Sequence, residues 1–214
     1  MKKLGLKCVA FSHKSRKYNS YRGTVGNIAD NKIKRRFKTS IPHQKITTDT
    51  SEFKIYGTDN DGKLKISKLY LDPFLDMFNG EVLSFIVSDK PNFKSINNAL
   101  EKAINITNDC PYRRAFHSDQ GWAYQMNVYT KKLNKHKIFQ SMSRKGTCLD
   151  NSPMENFFGI MKQEMYYGKI YKTFNELELA IKEYIYYYNH KRIKEKLNWL
   201  SPVNYRAKYE SKIA

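Results

Sequence analysis

SMSRKGTCLDNSPMENFFGIMKQEM, residues 141–165, decides how the chain is read. It opens as a basic, glycine-containing loop and turns into a helix. Ser152, Pro153 and Glu155 stand where an N-cap, a first-turn proline and a capping-box glutamate belong. Behind them Met154, Phe157, Phe158, Met161 and Met165 recur at i, i+3, i+4, i+7 and i+11, a continuous apolar stripe. Glu155 and Lys162, seven residues apart, point along one neighbouring face, and Gly159 leaves that face open between them. A carboxylate, a gap and an ammonium on one side of a helix suit a charged, flat ligand such as a nucleic-acid backbone.

The rest of the composition agrees with such a ligand. The 214 residues are 40% apolar and 14% aromatic, enough for one good-sized core with a smaller appendage, and they argue against wholesale disorder. The formal net charge of +19 is uneven: residues 1–45 carry thirteen Lys or Arg against Asp30 alone. A field of that sign attracts polyanions, nucleic acid first and an anionic membrane surface second. The membrane is the weaker choice, because there is no long apolar run and no signal-like segment. Cys8, Cys110 and Cys148 are odd in number and far apart, which argues against a disulfide frame or a zinc finger and for reduced thiols in a cytoplasm.

Outward from the central stretch, the chain divides at about residue 40. Residues 1–40 form a basic N-terminal arm, with a helix end over residues 1–11 and a short basic helix over 31–37 that contains Lys34, Arg35 and Arg36. The arm is either a solvated face or a DNA contact. Strands are expected over residues 45–56, 63–71 and 81–88, with turns at Asp61-Gly62 and Asn79-Gly80. Pro73 implies a bulge or an early strand end. A helix follows over residues 91–104, a strand over 112–117, a helix over 123–134 and a strand over 137–141. The order predicts an α/β fold with a mixed five-stranded sheet flanked by helices. Thr173 and Glu176 form a second capping box, opening a helix whose stripe of Phe174, Leu177, Ile181, Tyr184, Ile185 and Tyr188 reads as core packing. A final short element starts at Ser201-Pro202, and residues 207–214 read as a tail.

Three carboxylates stand out by placement: Asp49 in the first strand, Asp119 just after the fourth, and Glu155 in the first helical turn. If the first and fourth strands are neighbours and the helix crosses that edge, the three converge. Three hard oxygen donors in an open cleft suit Mg²⁺ or Mn²⁺ rather than zinc, and two such ions support in-line phosphoryl displacement. Structural readings compete. Glu155 alone completes a capping box, Asp49 is one strand acid among many, and Asp119 forms a turn beside Gly121. His117 either hydrogen-bonds near the acids or closes the strand.

Three sequence blocks decide between them: HSDQGWAYQ (117–125), residues 140–165, and YYNHKRIKEKLNWLSPVNYR (187–206). Over about residues 40–206 the chain resembles the second-frame (OrfB) transposases of two-frame bacterial insertion sequences, in the retroviral-integrase-like DDE superfamily. The resemblance implies an RNase H-like catalytic core over residues 41–206 with Asp49, Asp119 and Glu155 as the metal-binding triad. The 35 residues between Asp119 and Glu155 match the family's spacing. It also implies Lys162 against a terminal phosphate. Arg144 and Lys145 are expected on phosphates from the loop before the helix, and Lys34, Arg35 and Arg36 on DNA from the arm. The implied activity is DNA cleavage and 3′-OH strand transfer with Mg²⁺ or Mn²⁺, two ions. The implied partners are element-end and target DNA, further copies of the chain, and an upstream-frame (OrfA) product. The alternatives are an inactive, truncated DNA-binding remnant and an RNase H-like nuclease that only hydrolyses. The pattern departs at Thr47, where the family usually has an aromatic residue, which implies looser packing under the first strand. Residues 1–40 resemble only the tail of the family's helix-turn-helix segment.

Overall fold

In the computed structural model the described residues are Lys3 and 26–213, so the helix expected over residues 1–11 lies outside them. The sheet has six strands, not five: β1 Lys45–Thr48, β2 Ser51–Thr58, β3 Leu64–Asp76, β4 Val82–Ser88, β5 Ala115–Ser118 and β6 Phe139–Met142. The extra strand comes from a break in the expected first one. β1 pairs Thr48 with Phe74 and β2 pairs Ser51 with Leu71, so both lie in one unbroken antiparallel register on β3. Only Asp49 and Thr50 drop out, and continuing the register sets them opposite Pro73 and Asp72. Pro73 has no amide to give a neighbouring strand at this point. It neither ends β3, which runs on to Asp76, nor forms the bulge itself; the register shift falls one residue later, between Phe74 and Leu75.

β4 pairs with β3 over Tyr70–Leu75, where Tyr70, Leu71, Phe74 and Leu75 also pair with β1 or β2, so it occupies the opposite edge. On the other side β1 runs parallel to β5, and β5 parallel to β6. Gly62 (φ 76°) and Gly80 (φ 75°) make the two expected tight turns, where a residue without Cβ adopts the left-handed backbone most cheaply.

Helices cover both faces. α1 (Phe93–Ile106) is capped by Asn92, whose side chain accepts from Ser95 N–H at 2.8 Å. The helix expected over 123–134 is two pieces, α2 (Trp122–Gln125) and α3 (Asn127–Lys135), because Met126 takes an extended conformation (ψ 138°). With Ile46, Phe74 and Phe116 these helices enclose one apolar cluster. The second cluster lies on the other face, under α4 (Ser152–Met161) and α5 (Phe174–His190). Met154, Phe157, Phe158, Met161 and Met165 are all buried there, with Leu177, Ile181, Tyr184, Ile185 and Tyr188 from α5. Thr173 caps α5 as expected, its hydroxyl accepting from Glu176 N–H at 3.2 Å.

Two further expectations are corrected. Residues 31–37 are not helical: Lys34 and Arg35 are left-handed (φ 48° and 61°), and the segment is docked on the sheet by Lys32 and Ile33 N–H groups donating to Ser141 Oγ. α6 (Pro202–Ile213) continues through the residues expected as a tail. Among the described residues, no helix is long and apolar enough to cross a membrane.

Candidate active site

Asp49 and Asp119 are brought together by the sheet itself. β1 and β5 are parallel, with Ile46 beside Phe116 and Thr47 beside His117. Two residues further along each chain, the same register sets Asp49 beside Asp119. Both therefore stand just past the carboxyl ends of adjacent parallel strands. Alternation decides the face. Ile46 and Phe116 point into the cluster under α1 and α3. Thr47 and His117 point the other way, toward α4, where they bond Asn151 and Asp150. Asp49 and Asp119 share that parity.

The third acid comes from α4, whose start is built differently from the expected capping box. Ser152 is already helical (φ −55°, ψ −29°), and Asn151 stands at the cap without capping. Its amide is used elsewhere: Oδ1 accepts from Thr47 Oγ1 at 2.5 Å, and Nδ2 donates to Thr48 C=O at 3.2 Å. Asn151 thus pins the helix to the end of β1, which carries Glu155 over Asp49. Thr47 is fully buried here, so where the family pattern has an aromatic residue this chain has a hydrogen bond.

The electrostatics record the convergence. Asp49 is raised well above the ordinary carboxylate range by burial first, then by the charge of Asp119, with Glu155 and Asp72 adding to it. Its Oδ1 accepts from Thr50 N–H at 2.8 Å, which opposes the shift. Burial also raises Asp119, against a bond from Gly121 N–H at 2.8 Å. Below them Asp72, 1% exposed, is pushed up to about 6 by burial and accepts a bond from Thr50 Oγ1. Among the described residues, no three His, Cys, Asp or Glu side chains are closed around one ion position. The donor chemistry nonetheless fits a hard cation. Asp49, Asp119 and Glu155 offer only oxygens, and their mutual repulsion is what a divalent ion would relieve.

The basic residues divide into two groups. Lys162, in a π-helical turn that continues α4 (Lys162–Tyr166), donates to Glu52 C=O at 3.2 Å and lies 4.9 Å over the Phe53 ring. Arg35 and Arg144 share one carboxylate, that of fully buried Asp150. Arg35 Nε reaches Oδ1 at 2.7 Å, and Arg144 reaches Oδ2 at 2.9 Å through Nε and Oδ1 at 3.0 Å through Nη2. Asn31 is a third partner, its Nδ2 donating to Oδ2 at 2.9 Å. These partners, Arg144 foremost, hold Asp150 well below the usual carboxylate range. Lys34, Arg36 and Lys145 are exposed nearby in the chain. His117 is fully buried between Ser141 Oγ (2.9 Å) and Asp150 C=O (2.8 Å), and burial lowers its pKa, so it closes the strand as a neutral ring. The sequence reading missed Asp72 and the organising roles of Asp150 and Asn151. The motif around residue 150 was visible, but Asn31, Arg35, Thr47 and Thr48, which it bonds, lie more than a hundred residues away.

The architecture is that of an integrase catalytic core. Its likeness to the HTLV-2 integrase catalytic core domain, a magnesium complex, has a TM-score of 0.55 at 15% identity, covering 77% of this chain and 96% of that one. Two family models described as integrase core domain match residues 39–148 and 155–209. A transposase-like protein of Haemophilus influenzae is 48% identical over 193 residues, covering 90% of this chain and 84% of its own length. The InsK transposase of insertion sequence element IS150 from Escherichia coli is 44% identical over 194 residues, 65% of its own length. The chain belongs to the insertion-sequence transposases of the integrase core family.

Proposed function

We propose that this chain cuts DNA at the ends of a mobile element and joins the freed 3′-OH to target DNA, with Asp49, Asp119 and Glu155 as the acidic catalytic set. The observation that carries the reading is the parallel pairing of β1 with β5, whose carboxyl ends are followed at once by Asp49 and Asp119, together with the charge of Asp119 and of Glu155 felt at Asp49. Water attacks the first phosphodiester and releases the 3′-OH, which then attacks the target phosphodiester. Both are displacements at phosphorus, so no Ser or Tyr nucleophile is needed. Held by the three carboxylates, Mg²⁺ or Mn²⁺, two ions in the full complement, would activate the attacking oxygen and stabilise the leaving one. Asp49 and Asp119 supply fixed negative charge at strand ends, and Asn151 orients the helix that brings Glu155.

Around this centre Lys162 contacts a terminal phosphate. Arg35 and Arg144, held side by side by Asp150, join Lys34, Arg36 and Lys145 as a basic rim for the DNA backbone. The arm over residues 1–40 adds further positive charge for DNA. The working form is an oligomer on DNA in the cytoplasm, with the upstream-frame product as a further partner. The test is single-turnover strand transfer with pre-cleaved ends. Mg²⁺ or Mn²⁺ supports it, while Ca²⁺ permits binding alone, and activity that survives EDTA would refute the reading. Cleavage without joining would reduce the chain to a nuclease.

A further inference from the structure

Trp199 occupies a backbone position that its own turn does not favour. Leu200 N–H donates to Leu197 C=O at 3.1 Å across Asn198 (φ 53°) and Trp199 (φ 60°), so both central residues are left-handed. That is a type I′ turn, in which Asn suits the first central position and Gly the second. A Trp there strains against its own Cβ and gains little from packing, since it stays 63% exposed. The turn is also fixed in place. The amides of Leu197 and Trp199 both donate to Lys194 C=O at 3.0 Å, and Lys194 N–H donates to Leu200 C=O at 3.1 Å. A strained, rigidly held and exposed indole marks a contact with something outside the chain.

The surrounding charge says what. Residues 191–212 carry seven Lys or Arg against Glu195 and Glu210. Arg192 is engaged by Glu164, and Arg206 by Glu81 and Glu210. Among the described residues, none of Lys191, Lys194, Lys196, Lys208 and Lys212 is in an ion pair. A cleft of about 870 Å³ has Lys194 and Lys196 on one wall and Ser152, Pro153 and Asn156 of α4 on the other. Lys194 Nζ is held by the Tyr188 hydroxyl at 2.8 Å, and Asp76 and Glu195 also line the cleft, so exposed Lys196 is the cation this wall offers between the helix that carries Glu155 and the segment that holds Trp199. Duplex bases have both faces covered by their neighbours, whereas an indole on a turn needs a free face.

We propose that Trp199 is a stacking platform for an unpaired nucleobase, with the neighbouring lysines on the adjacent phosphates; this rests on the DNA reading above. The full chain is tested in EDTA against a mixed-sequence single-stranded oligonucleotide and the corresponding blunt duplex. Trp199→Gly, which relieves the left-handed strain, keeps or raises the melting temperature. It weakens single-strand binding about tenfold and leaves duplex affinity unchanged. Trp199→Phe retains most of the binding, and in a Trp122→Phe chain the remaining Trp199 emission is quenched by the single strand. Trp199→Asn, also at ease in the left-handed region, repeats the comparison should the glycine variant misfold. Unchanged single-strand affinity in Trp199→Gly, or equal losses on single strand and duplex, would overturn the proposal. Because no metal is present, either result leaves the carboxylate assignment to be judged by its own assay.

Discussion

At Asp49, burial and like charge act in the same direction. An acid whose pKa is higher folded than unfolded opposes folding while ionised, and that opposition fades as pH falls below the folded value. Asp49, Asp119 and Asp72 are of this kind. Asp150 is the opposite: its stabilisation is complete above the unfolded value and is lost as pH falls through the depressed folded one. The metal-free protein therefore melts highest on the acid side of neutrality, between about pH 4 and 6. Mg²⁺ raises the melting temperature near pH 7.5 and much less near pH 5 (about the range where the acids take up protons). Asp49→Asn raises the metal-free melting temperature and abolishes the Mg²⁺ shift. A Mg²⁺ shift that persists in this variant would remove Asp49 from the ion site. Glu155→Gln separates charge from geometry, because the amide keeps the shape and loses the charge. Strand transfer falls at least about 100-fold while the melt stays put; an active variant would end the catalytic reading of this helix. Asp150→Asn loosens bonds to Arg35, Arg144 and Asn31 and costs about 2 kcal/mol in chemical denaturation.

The gap between β1 and β2 belongs to the element scale. Because the register continues across it, Asp49 is released from regular strand geometry while both flanks stay aligned. Pro73→Val supplies an amide opposite the gap and draws Asp49 toward the ladder. Strand transfer slows about tenfold or more at unchanged or higher stability, the known sensitivity of catalysis to small displacements. An unchanged rate would show that Asp49 is positioned by its other contacts. This gap was beyond a reading of the sequence, because residues 45–56 are uniformly strand-like and nothing local tells which residue of β3 lies opposite. The stripes of α4 and α5 were legible, because a 3.6-residue period is a local signal that burial then obeys. The cap of α4 was misread for the converse reason: Ser152-Pro153 looks like a helix start, but Asn151 is drawn away by Thr47 and Thr48, 104 and 103 residues distant.

For the whole molecule, the acids were legible as a motif, and their convergence follows from sheet topology. The arm was only half legible, since charge density shows through composition but docking does not. Ile33 is 4% exposed, and Asn31 and Arg35 are held by Asp150. Removing residues 1–25 takes away seven cations, so the slope of log affinity against log salt flattens while the melt is kept. Removing residues 1–40 also strips these contacts and lowers the melting temperature by about 10 °C. Equal melts for the two truncations would show that the docked stretch contributes nothing to stability.

The clamp on Asp150 also sets a timetable for synthesis. Asn31 and Arg35 leave the ribosome early, yet their carboxylate is 119 and 115 residues further along the chain. Until that stretch emerges, β5 can lie beside β1 while the helix bearing Glu155 does not yet exist. A nascent chain thus holds two of the three acids while the stretch from Asp119 to Glu155 is being made, and the third arrives just after the carboxylate that Asn31 and Arg35 have been waiting for. Under the proposed assignment of Asp49, Asp119 and Glu155, the acidic set is in this way incomplete until most of the chain has been made.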